Sequence, residues 1–587
     1  MRGRSARTAV AALALCAVLL AALVPTAGAS GPPSIAPVVG PSSALPLAGL
    51  SSALAAPFAA RAGYEDWFGS AASHATAADG SELVVVTLAP SEPGLFDPPL
   101  PGAPRESVGQ IADEFGVPAP QYSEIAQYFE SEGLSVVHAW PDRLALSLEG
   151  PTAAVNRAFG TTEMSGSYAG RPVTFPSAPP TLPASIQSEV TSVLGLSSGF
   201  DEFSLPVTPA VAVSPGAGAS GTPISPAILR QWYDISPLYN LTSSPTYASG
   251  EGVAVLLWGD GYDPSDISGF FSQYYPSGFP QPSIVPYPMD GAPAPSPGAV
   301  NDPDRSAPQE LTLDIEWAGS FAPGATIDAV YAPDGPAPGY SPTSSSMADA
   351  LHQVVSLGGV STLSMSFGTP ESGDASLEGA WATYLAEAEH EGITIVAATG
   401  DLGGDASSGC AGGPAPDYPA TDPNILAVGG TVVALQQNLL GQISSISESG
   451  WIGSGGGFST QFAAPSWQTG VTGNAHRGIP DVSASAYNNF LYYTGQAEVA
   501  DGTSFATPLW AGLIAEMDAL HGGAFGLLSP RLYAVGENES SGRIGGGLYD
   551  VTTGATAWRT PVPAGMRRPA GGRHAGSTFT RRSPRRS

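Results

Sequence analysis

Five short runs that read as buried strands, with helical stretches between them, constrain this chain more than any other feature. They are Gly252–Trp258, Thr326–Tyr331, Thr362–Ser366, Thr394–Ala398 and Ile425–Val428, and the helical spacings Gln309–Ser320, Ser346–Leu357 and Ser376–Glu391 fall among them. Strands separated by helices pair in parallel and are covered on both faces, so the expected fold class is α/β, a parallel sheet with helices on both sides. Functional groups in such folds collect at the carboxyl ends of the strands.

A second folded unit precedes this one. Glu82–Leu88 reads as a strand, Ser107–Phe115 and Gln121–Glu132 as helices, Leu134–Ala139 and Arg143–Leu148 as strands and Pro151–Phe159 as a helix, an α+β module of the ferredoxin-like kind. A stretch rich in Pro, Gly, Ala and Ser joins the two units and reads as an exposed linker that a protease could cut. Residues 30–80 lack any period and read as a flexible leader. Ahead of them, arginines at 2, 4 and 7, an apolar run from Ala9 to Val24 and the small residues Thr26–Ala29 form a secretory signal. The expected division is signal 1–29, leader 30–80, leading domain 81–204, linker 205–224, main domain 225–554 and a basic tail 555–587. The apolar run is too short and wrongly flanked for a membrane anchor, and once the signal is removed only Cys410 remains, so the exported chain is expected to form no internal disulfide.

Charge narrows the function classes. The chain has 51 acidic and 21 basic residues, and every basic residue is Arg. Three arginines lie in the signal and eight after Val551, so residues 30–550 carry 10 − 51 = −41 at neutral pH. Nucleic-acid binding is excluded by that balance. Self-repulsion of this size fades only as carboxylates protonate near pH ~4, which favours an acidic workplace.

Three segments offer chemistry. In Asp501-Gly502-Thr503-Ser504-Phe505-Ala506-Thr507-Pro508, Ser504 opens an apolar helix that ends near His521-Gly522-Gly523, a place where a hydroxyl meets the positive end of the helix dipole. A helix-capping Ser or Thr is the ordinary reading of so short a motif. Glu310 and Asp314 lie four apart on one helical face, followed by the apolar run Trp317–Ala325 that argues for burial. Two carboxylates held together cannot both ionise easily, so one retains a proton it can pass on. Asp401 follows Gly400 at the end of the strand Ile395–Ala398, as an active-edge carboxylate or as a loop or capping residue. None of the seven histidines stands in a motif that would make it the base for Ser504, and each reads as a surface or capping residue.

Glu and Asp four apart, Gly-Asp after a core strand and Gly-Thr-Ser before a helix, in that order, resemble the sedolisins, the serine-carboxyl peptidases. Gly455-Gly456-Gly457-Phe458-Ser459 and Arg477-Gly478-Ile479-Pro480-Asp481-Val482 resemble two further motifs of that family, and the leading module resembles its propeptide. The resemblance implies a subtilisin-like sheet and a zymogen whose propeptide inhibits it. It also implies a monomer that hydrolyses peptides and proteins outside the cell. It assigns Ser504 as nucleophile, Glu310 as base, Asp314 as the residue that orients Glu310, and Asp401 as a protonated donor to the oxyanion. It further implies one calcium ion near Asp550 and Val551, although the Gly-rich second half of that site is missing and no carboxylate follows Val551. A subtilisin-like peptidase with an unrecognised histidine, and an inactive binding protein on the same scaffold, remain alternatives.

Overall fold

The computed structural model describes residues 76–78, 80–99, 103–168, 171–198, 203, 211–212, 223–236, 238–240, 246–275, 279–298, 306–335, 341–371, 375–403, 416–437, 443–540, 548–551 and 577–578. The signal, the leader up to residue 75, most of the 205–224 linker, Cys410 and nearly all of the tail lie outside the described residues.

The leading domain follows a β-α-α-β-β-α-β order, the ferredoxin-like pattern with its first crossover made of two helices. Its elements are β1 (Ser81–Leu88), α1 (Val108–Glu114), α2 (Ala119–Ser131), β2 (Ser135–Ala139), β3 (Ala145–Pro151), α3 (Thr152–Ala158) and β4 (Val190–Leu194). The strands lie side by side as β2-β3-β1-β4, all antiparallel, which is the ferredoxin-like arrangement expected from the sequence. Ser107 and Gln110 close a reciprocal capping box that starts α1. Along β1 the side chains part company: Val84 and Val86 pack with Phe129, Val155 and Phe159 of their own domain, whereas Val85 joins the core of the main domain. Both faces of this sheet are therefore covered, which is why β1 reads as a continuous apolar run. The sequence reading missed β4 and the hairpin of Glu163–Tyr168 with Arg171–Pro176. Thr76 and Ala77, placed in the leader, add a short strand to that hairpin.

The main domain is built on β5 (Gly252–Trp258), β6 (Ser283–Pro288), β7 (Thr326–Ala332), β8 (Val360–Met365), β9 (Thr394–Ala398), β10 (Leu426–Gln437) and β11 (Val482–Ser485). They run parallel in the order β6-β7-β5-β8-β9-β10-β11. From β5 the chain crosses to the edge strand β6, returns through β7 beside β5 and then passes to β8 on the other side, so the crevice at the carboxyl end of β5 and β8 is the switch point where such sheets bind ligands. Helices α4 (Ser306–Phe321) and α7 (Thr503–His521) pack together, as do α5 (Ser344–Ser356) and α6 (Ala375–His390).

Helix α4 is buried from Ala307 to Phe321, polar residues included. It meets α7 at backbone distance: a Cβ on Gly512 would stand 2.4 Å from the Ala318 carbonyl oxygen, and the Trp317 and Phe505 rings meet edge to face at 5.1 Å. That contact fixes the register of Glu310 and Asp314 on one helix against Ser504 on the other.

The leading domain docks on α5 and α6. Ser147 Oγ donates to Asp349 Oδ1 at 2.5 Å, and Ser192 Oγ donates to the Ser376 carbonyl at 2.8 Å. Beyond β4, Phe203 inserts among Trp258, Phe367 and Trp381. Within the 205–224 stretch, Val211–Ala212 pair with Val499 and Glu498, directly upstream of the Ser504 motif. No helix among the described residues is long and apolar enough to cross a membrane.

Candidate active site

Ser504 is the second residue of α7, and Gly502, at the capping position, has no side chain with which to satisfy the first backbone N–H groups. Asp401 supplies the cap from the end of β9. Its Oδ1 accepts the Thr503 N–H at 2.8 Å and the Thr503 hydroxyl at 2.9 Å. The capping and active-edge readings of Asp401 are thus compatible, because one oxygen caps while Oδ2 is buried without a partner. A close turn holds this carboxylate. Gly400 has φ of 90°, and Gly455 packs so tightly that a Cβ would overlap the Thr399 carbonyl oxygen at 1.7 Å. The Gly455 N–H donates to Gly400 O at 2.7 Å, so the first glycine of the 455–457 run is set by this close approach.

Glu310 and Asp314 are wholly buried on the face of α4 that meets α7. Burial, then the Asp314 charge, raises the Glu310 carboxyl well above the usual range, with a further upward push from Asp401, while the Ser504 hydroxyl lowers it. Ser504 therefore lies close enough to Glu310 to act on its titration. Even so, neither Glu310 oxygen nor Ser504 Oγ meets the geometry of a formed hydrogen bond, and we take the pair as facing but not yet engaged. Catalytic contacts commonly tighten only when substrate is bound. Burial raises Asp314 as well, against the Ser366 hydroxyl, which donates to Asp314 Oδ1 at 2.7 Å. Burial is also the main cause of the raised Asp401 carboxyl, opposed by the Thr503 bonds and reinforced by Asp501 and Asp417.

All four chemistry-bearing residues from the sequence thus come from α4, α7 and the end of β9, with the carboxyls poised to hold protons. Thr503 and Ser366 were missed. Thr503 stood in the quoted motif without a role, and nothing local in the sequence ties Ser366 to Asp314. The Arg477 motif is structural: its guanidinium makes a bidentate buried pair with Asp481 at 2.6 and 2.5 Å, and Asp481 also accepts from the Ala427 N–H. Among the described residues no histidine is hydrogen-bonded to Ser504. His390 bonds Glu106, His521 bonds the Gly523 carbonyl and His476 is exposed. His352 corrects the surface reading, since it is fully buried against the leading domain, ion-paired with Asp142 and stacked between Trp140 and Tyr384. Asp550 and Val551 lie on and just past a two-residue strand. The clusters of three metal-binding side chains among the described residues lie elsewhere. Asp550 and Val551 do not by themselves fit calcium, which needs six to eight oxygens.

The sequence profile of the subtilase family matches residues 304–531, and that of the pro-kumamolisin activation domain matches residues 106–199. Kumamolisin from Bacillus sp. (strain MN-32) is 30% identical over 458 residues, covering 72% of this chain and 76% of that protein. Sedolisin from Pseudomonas sp. (strain 101) is 26% identical over 481 residues, covering 77% and 78%. Among solved structures, Pseudomonas sedolisin complexed with two molecules of pseudo-iodotyrostatin aligns with a TM-score of 0.47 at 23% identity, over 58% of this chain and 91% of that one. With a kumamolisin match of that length and an activation domain ahead of the peptidase domain, this chain belongs to the sedolisin family of serine-type peptidases.

Proposed function

We propose that the chain is the secreted precursor of an acid-acting serine-carboxyl endopeptidase. The observation that carries this is a serine at a helix start facing a buried pair of carboxyls whose mutual repulsion keeps one protonated and leaves the other to ionise, with every described histidine engaged or exposed elsewhere. Ser504 Oγ attacks the scissile carbonyl carbon while its proton passes to ionised Glu310. The tetrahedral oxyanion is held by the proton on Asp401 Oδ2. Glu310 then returns the proton to the leaving amine, the C–N bond breaks, and a water repeats the sequence on the acyl-enzyme. Asp314, braced by Ser366, orients Glu310 and tunes its charge. Thr503 occupies Asp401 Oδ1 with two donors, so a proton on this carboxyl belongs on Oδ2, where it serves as an oxyanion donor. The reaction therefore needs Glu310 ionised while Asp401 stays protonated, a state that only acidic solution maintains. The amino-terminal signal supports secretion. The docking of the leading domain on α5 and α6 supports inhibition by the propeptide, with maturation within residues 205–224.

Replacing Asp401 tests the oxyanion role. Asp401→Asn keeps an acceptor for Thr503 and a donor in place of Oδ2–H, so it should retain most turnover and extend activity toward higher pH. Asp401→Ala removes both, and should lose about a hundredfold or more in turnover and about 0.5–2 kcal/mol of stability from the lost cap. A stability loss with unchanged turnover in the alanine variant ends the assignment. Calcium at Asp550 and Val551 is a lesser proposal, resting on the family motif. It predicts that calcium raises the melting temperature of the mature enzyme, and an unchanged melt rejects it.

A further inference from the structure

Where the leading domain meets the peptidase, the structure gathers His138 from one and Asp290 and Asp349 from the other. One ligand atom from each lies within 4.8 Å of the other two. His138 Nε2 is 3.3 Å from Asp290 Oδ1. The edge of a tetrahedron with zinc–ligand bonds of about 2.0–2.1 Å is also about 3.3 Å. A register irregularity between Val136 and His138 re-aims the end of β2 toward the seam and sets His138 opposite Ser147. The Ser147 hydroxyl bonds Asp349 Oδ1, so the one strand pair supplies a ligand and the group that orients another.

Two observations point to a ligand and not to an ion pair alone. Asp349 is fully buried with Oδ2 lacking any partner, and Asp290 Oδ2 is likewise buried and bare. The charges also fail to balance: two carboxylates face one imidazole, no arginine among the described residues pairs with either, and the chain has no lysine. Without a metal, burial beside Asp290 raises the Asp349 carboxyl well above its usual range, so that it keeps a proton, whereas a divalent cation with a neutral imidazole balances both carboxylates. The His138 side chain remains about a third exposed, at 32%, which gives an ion a way in and leaves room for water as a fourth ligand. The neighbouring group of Asp142, His352 and Glu387 is sealed, and its imidazole already pairs with Asp142, so it is the weaker candidate.

We propose that His138, Asp290 and Asp349 bind one zinc ion in the precursor, clipping the propeptide to the peptidase. One imidazole and two carboxylates suit this borderline-soft cation. The site exists only while the two domains are docked, so zinc stabilises the precursor by mass action, about a hundredfold at a zinc concentration of 100 Kd. Removal of the propeptide takes His138 away and destroys the site.

The test uses the full-length Ser504→Ala precursor, stripped with chelator and titrated with zinc chloride near neutral pH by calorimetry, with melting in parallel. Its catalytic inactivity keeps the result independent of the proposed peptidase chemistry. One zinc per chain and a raised melting temperature are expected, with affinity reduced at least tenfold by His138→Ala and by Asp290→Asn. Should either variant fail to fold, which its melt without zinc reveals, the other carries the comparison. Absence of saturable binding, or equal binding in the folded variants, overturns the proposal; the latter places zinc elsewhere, and the former leaves an ion pair between His138 and Asp290 only.

Discussion

Glu310, Asp314 and Asp401 around Ser504, and Asp142, Asp290, Asp349 and Glu387 at the propeptide seam, are both clusters of buried carboxyl groups, yet only the second contains imidazoles. His352 pairs with Asp142 and His138 with Asp290, and the rings form a stack, His138 on Trp140, Trp140 on His352, His352 on Tyr384, that crosses from one domain to the other. At the active site no cation is paired with any of the three carboxyls among the described residues, so burial is relieved by protons instead. The same residue type thus does two jobs. At the active site all three carboxyls are raised by burial and act on protons, whereas at the seam Asp142 and Asp290 pair with imidazoles and fasten the two domains while Asp349 and Glu387 are raised by burial like the catalytic acids.

The largest expected effect comes from breaking a fastener. Asp142→Asn leaves His352 buried without its charge partner, and loss of one member of a buried pair costs about 3–5 kcal/mol. The propeptide should release at a higher pH than in the wild type, while the mature enzyme, which no longer contains residue 142, keeps its turnover. Following precursor processing on gels across a pH series reads the onset. An unchanged onset shows that the pair does not hold the domains together.

A smaller effect comes from buried acids outside both clusters. Burial raises the carboxyls of Glu389 and Glu516 to about 8, well above the unfolded value of about 4.3. Folded protein therefore binds more protons than unfolded protein between those values. The stability this contributes is complete below about pH 4.3 and is lost as pH rises toward 8, by up to about 1.4 kcal/mol per pH unit for each such proton. Melting of the mature enzyme should consequently occur at a higher temperature near pH 4.5 than near pH 7.5. The reverse order would mean that these groups are ionised at little cost in the fold.

Much of the scaffold was legible because it is written locally. Gly252–Trp258 and Thr394–Ala398 appear as strands with the boundaries read from their apolar runs, and α4 extends the expected helix by a few residues at its start. The Glu310–Asp314 spacing and the Ser504 motif were also local, and the structure brings them together. What escaped depends on residues far apart in sequence. Asp401 is 102 positions from Thr503, and Ser366 is 52 from Asp314, so no window of sequence contains either bond. His352 was misread for a related reason: helical periodicity assigns one face to water, but on α5 that face is covered by another domain. The hairpin at residues 163–176 escaped because Glu163–Tyr168, with its Ser and Gly, lacks a clear apolar alternation, and Pro172 and Pro176 mask the alternation of Val173 and Phe175 in its partner.

The claim that carboxyl groups replace imidazole at Ser504 is tested most directly by the pH dependence of kcat/KM for peptide hydrolysis by the mature wild-type enzyme. The account predicts a maximum at roughly pH 3 to 5, where an ordinary imidazole of pKa about 6.5 is protonated and cannot act as a base, with activity falling on the alkaline side once Asp401 loses its proton. A maximum above about pH 7 would contradict it and point to a histidine base.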